Sequence, residues 1–313
     1  MSGYGTHSNV VVFVDDADRA FEETTALVAS VLDGAGAAMF ERLFADVRAM
    51  FEGRYPGYRA SNTRYHDFAH TASVVLATAR LFHGCKMDGA SFSPERILLT
   101  LIAAFFHDTG LIQTEDDRHG SGAKYTVGHE ERSILFFRQY LAEKNFSAKE
   151  IENGANFIRC TILDSQPQSI AFLDEESRTC GYILGSADLL AQMADRLYLE
   201  KLLLLFKEFQ EARLPGFDSE LDLLLKTKDF YTLIAEKRLN EDLGGVKVHM
   251  RSHFRYWFNL DADVYSAAIS RNIQYLESVV EHCRDCFECY LAHLRRGGIA
   301  EQIKAERSRK RKK

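Results

Sequence analysis

The sequence predicts an all-α protein, on three observations. Only 4 of the 313 residues are Pro and 20 are Gly, too few breakers for a turn-rich, many-stranded fold. Hydrophobic residues make up 46%, enough for a sizeable core. Long stretches carry apolar residues at helical spacing without interruption.

The elements follow in order. Residues 1–19 read as irregular, with a short strand at Val10–Val14. From Ala20 to Phe51 the residues Phe21, Leu27, Val31, Leu32, Phe40, Leu43, Phe44 and Val47 recur at near-helical spacing, and Gly34 and Gly36 divide the stretch into two helices. Residues 52–62, with Pro56, form a loop. A helix is expected over 65–83 and a connector over 84–93. Ser93-Pro94-Glu95 is a helix start, with Ser as N-cap and Pro in the first turn. The helix it opens, to about His107, is apolar nearly all round and should be central. A polar loop follows over 109–127, then helices over 128–144, 147–163, 181–211, 218–239 and 262–296, with the main break at 164–177. Arg307–Lys313 has six basic residues in seven and is expected to be disordered. The expected organisation is an N-terminal helical segment (1–60), a catalytic core (61–215), a C-terminal helical extension (216–300) and a disordered basic tail (301–313).

Charge and composition narrow the function. A balance of 39 basic against 45 acidic residues argues against a general nucleic-acid binder. The N-terminus lacks a basic region followed by a long apolar one, and no apolar run approaches the roughly 18 residues of a membrane span. The expectation is a soluble cytoplasmic protein whose six cysteines are reduced. Long amphipathic helices permit a homodimer.

Four pieces carry chemistry. Tyr65-His66-Asp67-Phe68-Ala69-His70 places two histidines at i,i+4, expected on one helix face. His107-Asp108 ends the apolar helix. Gly128-His129-Glu130-Glu131-Arg132-Ser133 opens another. Asp188 sits in the apolar run Gly185-Ser186-Ala187-Asp188-Leu189-Leu190. A carboxylate in apolar surroundings costs several kcal/mol unless it is paired or bound to a cation, which marks Asp108 and Asp188 as ligands. Imidazole with carboxylate suits a divalent metal.

The ordered set His70, His107-Asp108 and Asp188 resembles the HD superfamily of metal-dependent phosphohydrolases. Tyr65-His66-Asp67-Phe68-Ala69-His70, Phe106-His107-Asp108 and Ala187-Asp188-Leu189 are similar to the motifs of its cyclic-nucleotide phosphodiesterase branch, and Glu208-Phe209 sits where that branch often has a Glu-Phe pair. The resemblance covers roughly residues 60–210 and implies an HD-type helical bundle. It assigns metal binding to His70, His107, Asp108 and Asp188, with Asp108 able to bridge two metals, and general acid catalysis to His66. His129 resembles a second-metal ligand of bacterial HD proteins. The implied cofactor is one or two divalent ions (Mn, Fe, Zn, Mg or Ni). The implied reaction is phosphodiester hydrolysis by metal-activated water, with His66 and Asp108 as the catalytic pair. Asp67 stands where that branch has Asn, and Thr109-Gly110-Leu111-Ile112 lacks a following His. The expected substrate is therefore a small nucleotide-type phosphate ester rather than a cyclic nucleotide in particular. Asp67 or Glu130 is expected to hold the proton of His66, and Lys124 and Arg132 are candidate phosphate contacts. The alternatives are a non-catalytic metal- or nucleotide-binding regulatory module and a di-iron oxygenase on the same fold. Cys283, Cys286 and Cys289, at i, i+3 and i+6 of an expected helix, form a weaker metal candidate.

Overall fold

The structure is a computed structural model that describes residues 16–30, 32 and 34–310. It is all-α. Among the described residues there are thirteen α-helices and no strand beyond a single bridge between Tyr58 and Thr114. The expected strand at Val10–Val14 lies outside them. Among the described residues no helix is long and apolar enough to cross a membrane.

Three helices form the middle of the molecule: α3 (Phe68–Met87), α4 (Pro94–Phe106) and α7 (Glu175–Ala194). They pack on one another and bury most of their residues, as the near-continuous apolar pattern of α4 requires. Against α3 lies α1 (Ala17–Val28), and against α4 lies α2 (Gly34–Phe51). α5 (His129–Glu143) and α6 (Ala148–Arg159) cover one side of α4 and α7. The rest of the shell is α8 (Tyr198–Glu211), α9 (Glu220–Phe230), α10 (His249–Phe258), α11 (Val264–Cys283), α12 (Phe287–His293) and α13 (Ile299–Lys310). One hydrophobic cluster runs from Ala20 to Ile303, so the segments at both ends share the core of the middle.

The helix starts follow local chemistry. Asp16, Asp67, Ser147, Asp174, Ser219 and Asp263 each cap a helix by accepting a backbone N–H two or three residues on. Ser93 precedes Pro94 as expected, yet its N–H and hydroxyl both donate to the Glu176 carboxylate, at 2.6 and 2.8 Å, tying α4 to the start of α7.

Several boundaries differ from the sequence reading. The helix expected over 181–211 is two. Asp195 is extended, Asn272 of α11 donates to the freed carbonyls of Met193 and Asp195 at 2.9 and 2.8 Å, and the Asp195 carboxylate accepts from Leu197 N–H. A partner 77 positions away thus stabilises a break that periodicity does not reveal. α9 ends at Phe230 and continues as two wide π-turns, Tyr231–Ala235 and Arg238–Asp242. The helix α10 was not expected. Residues 301–310, expected to be disordered, are helical within α13. Ile299, Ala300 and Ile303 are buried there, and Glu200 of α8 accepts from the N–H groups of Gly297 and Ile299. Arg307 pairs with Glu220 and lies 4.2 Å from the Phe287 ring centroid, so its charge has partners rather than solvent alone. Residues 311–313 of the expected tail lie outside the described residues.

The largest fully buried side chain is Arg80 of α3. Its guanidinium donates twice to Glu23 of α1, at 2.8 and 2.7 Å, and once to Tyr265 of α11 at 3.0 Å. Glu23→Ala removes the carboxylate partner of that buried cation and is expected to cost about 3 kcal/mol, read from the chemical denaturation midpoint. A change below about 1 kcal/mol would show that Arg80 is satisfied without Glu23.

Candidate metal centre

α3 does not begin where the sequence suggested. Asp67 caps it, accepting the backbone N–H of His70 at 2.9 Å, so the helix starts at Phe68 and His66 lies before it. His66 and His70 are therefore not neighbours on one helix face. The bend into the helix nevertheless leaves their rings 6.0 Å apart. His70 projects from the first turn of α3. His107 is the last residue of the turn closing α4, and its Nδ1 donates to Ala104 O at 2.8 Å, which presents Nε2 to the site. Asp108 follows it, and Asp188 comes from the middle of α7.

These four side chains converge. His70 Nε2 is 3.4 Å from Asp108 Oδ2 and 3.3 Å from Asp188 Oδ1, and His107 Nε2 is 3.2 and 3.6 Å from the same two oxygens. Ligand atoms about 2.1 Å from one ion stand roughly 3.0–3.5 Å from each other, so this spacing fits a shared cation. The ligating atoms of His70, His107 and Asp108 lie within 4.8 Å of one another, and Asp188 Oδ1 lies 3.3 and 3.6 Å from the two imidazole nitrogens. His107 Nε2 and Asp108 Oδ2 are buried with no hydrogen-bond partner. They face each other at 3.2 Å without a well-formed hydrogen bond, an arrangement that a shared cation would satisfy.

His129 opens α5. Its Nε2 is 3.1 Å from Asp108 Oδ1, the oxygen turned away from His70 and His107, and its Nδ1 is 2.8 Å from Thr126 O. Asp108 is thus engaged through one oxygen by the His70/His107 side and through the other by His129. The approach depends on Gly110. Its N–H donates to Ser133 Oγ at 2.8 Å, its carbonyl accepts from Arg132 Nε at 2.7 Å, and a Cβ there would lie 1.9 Å from His129 O. Gly110→Ala must push α5 off the loop after Asp108. It is expected to cost about 1–3 kcal/mol and to break the His129–Asp108 contact. Thermal denaturation and the His129 ring resonances in NMR check this, and an unperturbed His129 signal would refute it.

Electrostatics follow from this packing. Burial opposes the charged form of His107, but Asp108 and Asp188 outweigh it and push the imidazole up to about 9. His129 rises to about 9 in the same way, against burial, through Asp108 and then Glu130. Burial would raise Asp108, but the surrounding His107, His66 and His129 hold it well below the usual carboxylate range.

The partner of His66 is Glu208 of α8, with Oε2 2.7 Å from Nδ1. The same carboxylate accepts the N–H groups of Arg64 and Tyr65 at 2.8 and 2.7 Å, which fixes the bend before α3. Asp67 and Glu130, the expected partners, do other work: Asp67 caps α3, and Glu130 sits 3.4 Å from His129 Nδ1. The sequence signal for Glu208 is the Glu208-Phe209 pair, which resembles the Glu-Phe pair of the phosphodiesterase branch. Lys124 and Arg132 are also committed. Lys124 donates to Asp117 and His119 O, while Arg132 donates to Gly110 O and lies 3.6 Å from the Tyr125 ring centroid. Cys160 is buried, and that burial pushes its thiol up to about 12.

Among the described residues, then, a buried His/Asp cluster able to hold a divalent metal lies beside a histidine held by a glutamate. No protein-family model matches the chain, and no curated protein or solved structure is significantly similar to it.

Proposed function

We infer that the protein is a metal-dependent phosphohydrolase of the HD type, acting as a phosphodiesterase on a small nucleotide-type phosphate ester. The observation that carries this reading is the convergence of His70, His107, Asp108 and Asp188 on one point, with the His66–Glu208 pair alongside. A divalent ion in such a cluster acidifies water and polarises phosphoryl oxygens.

The chain's own residues do the rest. Asp108 and Asp188 supply the negative charge that holds the cation, and the Nδ1 bond to Ala104 O keeps His107 in the tautomer that offers Nε2. His66 is the proton donor to the leaving oxygen. Burial disfavours its charge, yet Asp108 and Glu208 raise its pKa above the ordinary imidazole value, which favours the protonated form that a general acid needs. Glu208 binds Nδ1 and leaves Nε2 to give that proton away.

The test is to load the protein with Mn, Fe, Zn, Mg or Ni and screen nucleotide and aryl phosphodiesters and monoesters for hydrolysis. Metal-dependent release of alcohol or phosphate, abolished by a chelator, supports the reading. Metal uptake with nucleotide binding and no turnover on any ester would replace it with the regulatory-module reading.

Metal binding should also release protons. Without metal, His107 holds a proton up to about pH 9, yet only its neutral form can ligate. At pH 7 at least one proton should leave per ion bound. Affinity should then rise about tenfold per pH unit and level off near pH 9. Calorimetry in buffers of different ionisation enthalpy reads this number directly, and a count of zero would contradict the ligand role of His107.

A further inference from the structure

Cysteines and histidines of the C-terminal segment form a second place where ligating side chains meet. The sequence pattern suggested one helix through Cys283, Cys286 and Cys289. Instead α11 ends at Cys283, the chain reverses at Arg284 with φ 47°, and α12 begins after Cys286. The reversal brings the Cα atoms of Cys283 and Cys289 to 5.4 Å, and these two are joined as a disulfide. The expectation of six reduced thiols therefore fails at this pair, because the turn creates a proximity that a continuous helix would not. His293, one turn after Cys289 on α12, has its Nδ1 3.6 Å from Cys283 Sγ and 3.8 Å from Cys289 Sγ. The ligating atoms of all three residues lie within 4.8 Å of one another. His282, in the last turn of α11, places its ring centroid 5.1 Å from that of His293, close to the 5.5 Å between His70 and His107 at the other site.

We propose that the reduced protein binds one zinc-class ion through Cys283, Cys289, His293 and His282. The disulfide and the metal-bound form are two states of this one cluster. Two thiolates and two imidazoles make a closed tetrahedral set of the kind that holds structural zinc, and the sulfurs select a soft or borderline ion over Mg or Ca. Conversion to the metal form starts with a dithiol reductant. It gives two electrons and two protons to the Cys283–Cys289 bond, yielding two thiols, and itself becomes a disulfide. The incoming ion then displaces both thiol protons to solvent. The two sulfurs move apart to about 3.8 Å, the edge of a tetrahedron with metal–sulfur bonds of about 2.3 Å. His293 Nδ1 exchanges its 2.9 Å contact with Cys289 O for the metal.

The fold gives a reason for such a clasp. α12 has only 7 residues, too few to persist as a helix without tertiary support. It nevertheless carries α13, whose Arg307 lies over Phe287 and whose Glu306 pairs with Arg64, two residues before His66. Either the disulfide or the ion fastens α12 to the end of α11.

The experiment uses the full chain, reduced with a dithiol, desalted without oxygen and titrated with cobalt. Thiolate-to-cobalt charge-transfer absorption reports sulfur ligation alone, so metal in the His/Asp site does not interfere. The expected result is a band that saturates at one equivalent and is displaced by zinc. It should be absent from the oxidised chain, lost in Cys289→Ser, weakened in His282→Ala and His293→Ala, and retained in Cys286→Ser. No band from the reduced natural chain in excess cobalt would overturn the proposal, without reliance on any variant's folding, and leave a structural disulfide. An unchanged band in Cys289→Ser would do the same. Loss of the band in Cys286→Ser, with circular dichroism unchanged, would overturn the assigned ligand set.

Discussion

Asp108→Ala is expected to abolish metal retention and to lower turnover by about 1,000-fold or more, the equivalent of roughly 4 kcal/mol of lost transition-state stabilisation. The reason is its position. One carboxylate oxygen lies 3.4 and 3.2 Å from the Nε2 atoms of His70 and His107, and the other lies 3.1 Å from His129. No other side chain in the cluster touches all three histidines. Removing it takes away a ligand and also the anion that balances neighbouring imidazoles whose burial already opposes their charge. Elemental analysis of the purified variant beside the natural protein measures the first effect, and ester hydrolysis at saturating metal measures the second. Asp188→Ala should behave similarly but less severely in stability, since Asp188 is only partly buried. A variant at Asp108 that keeps stoichiometric metal would remove the basis of the proposed site.

The second large effect separates chemistry from binding. His66→Ala is expected to keep its metal and lose about 100- to 10,000-fold in turnover on esters with poor leaving groups. On a nitrophenyl ester, whose leaving group needs no proton, the deficit should nearly vanish. Glu208→Gln tests the proton's holder. Asp108 and Glu208 together raise the pKa of His66, so turnover that depends on its protonated form should fall as pH rises through that value. Without the carboxylate, that fall should move to lower pH. Arg64 and Tyr65 N–H groups also lose their acceptor in this variant, so a fall in stability should accompany the shift. An equal loss for both leaving-group types in His66→Ala would mean that His66 positions the substrate rather than protonates it.

Much of the candidate site was legible in the sequence because its signals are local. His107-Asp108 ends a run with hardly a polar residue, and Asp188 interrupts another. A charge in such surroundings needs a partner wherever the chain folds. That reasoning requires no knowledge of tertiary contacts, and the four side chains do meet in one place. Asp67 shows where local reasoning fell short. A carboxylate beside His66 looked like its proton partner, but the same residue is the strongest helix cap nearby, and capping His70 N–H uses its side chain.

The all-α class, the central buried helix and a His/Asp set of metal-ligand type can be read from the chain alone. Helical periodicity, scarce breakers and charges in apolar runs are properties of neighbours along the chain, and they constrain any fold the chain adopts. Only the tertiary structure decided that Glu208 holds His66 across 142 positions, that Asn272 splits the α7–α8 stretch, that Glu200 and Glu220 order the basic tail as α13, and that the turn at Arg284 brings Cys283 to Cys289. Each of these is a pairing between distant segments. Its free energy comes from burying and satisfying polar groups against one another, and which groups meet is set only when the helices pack.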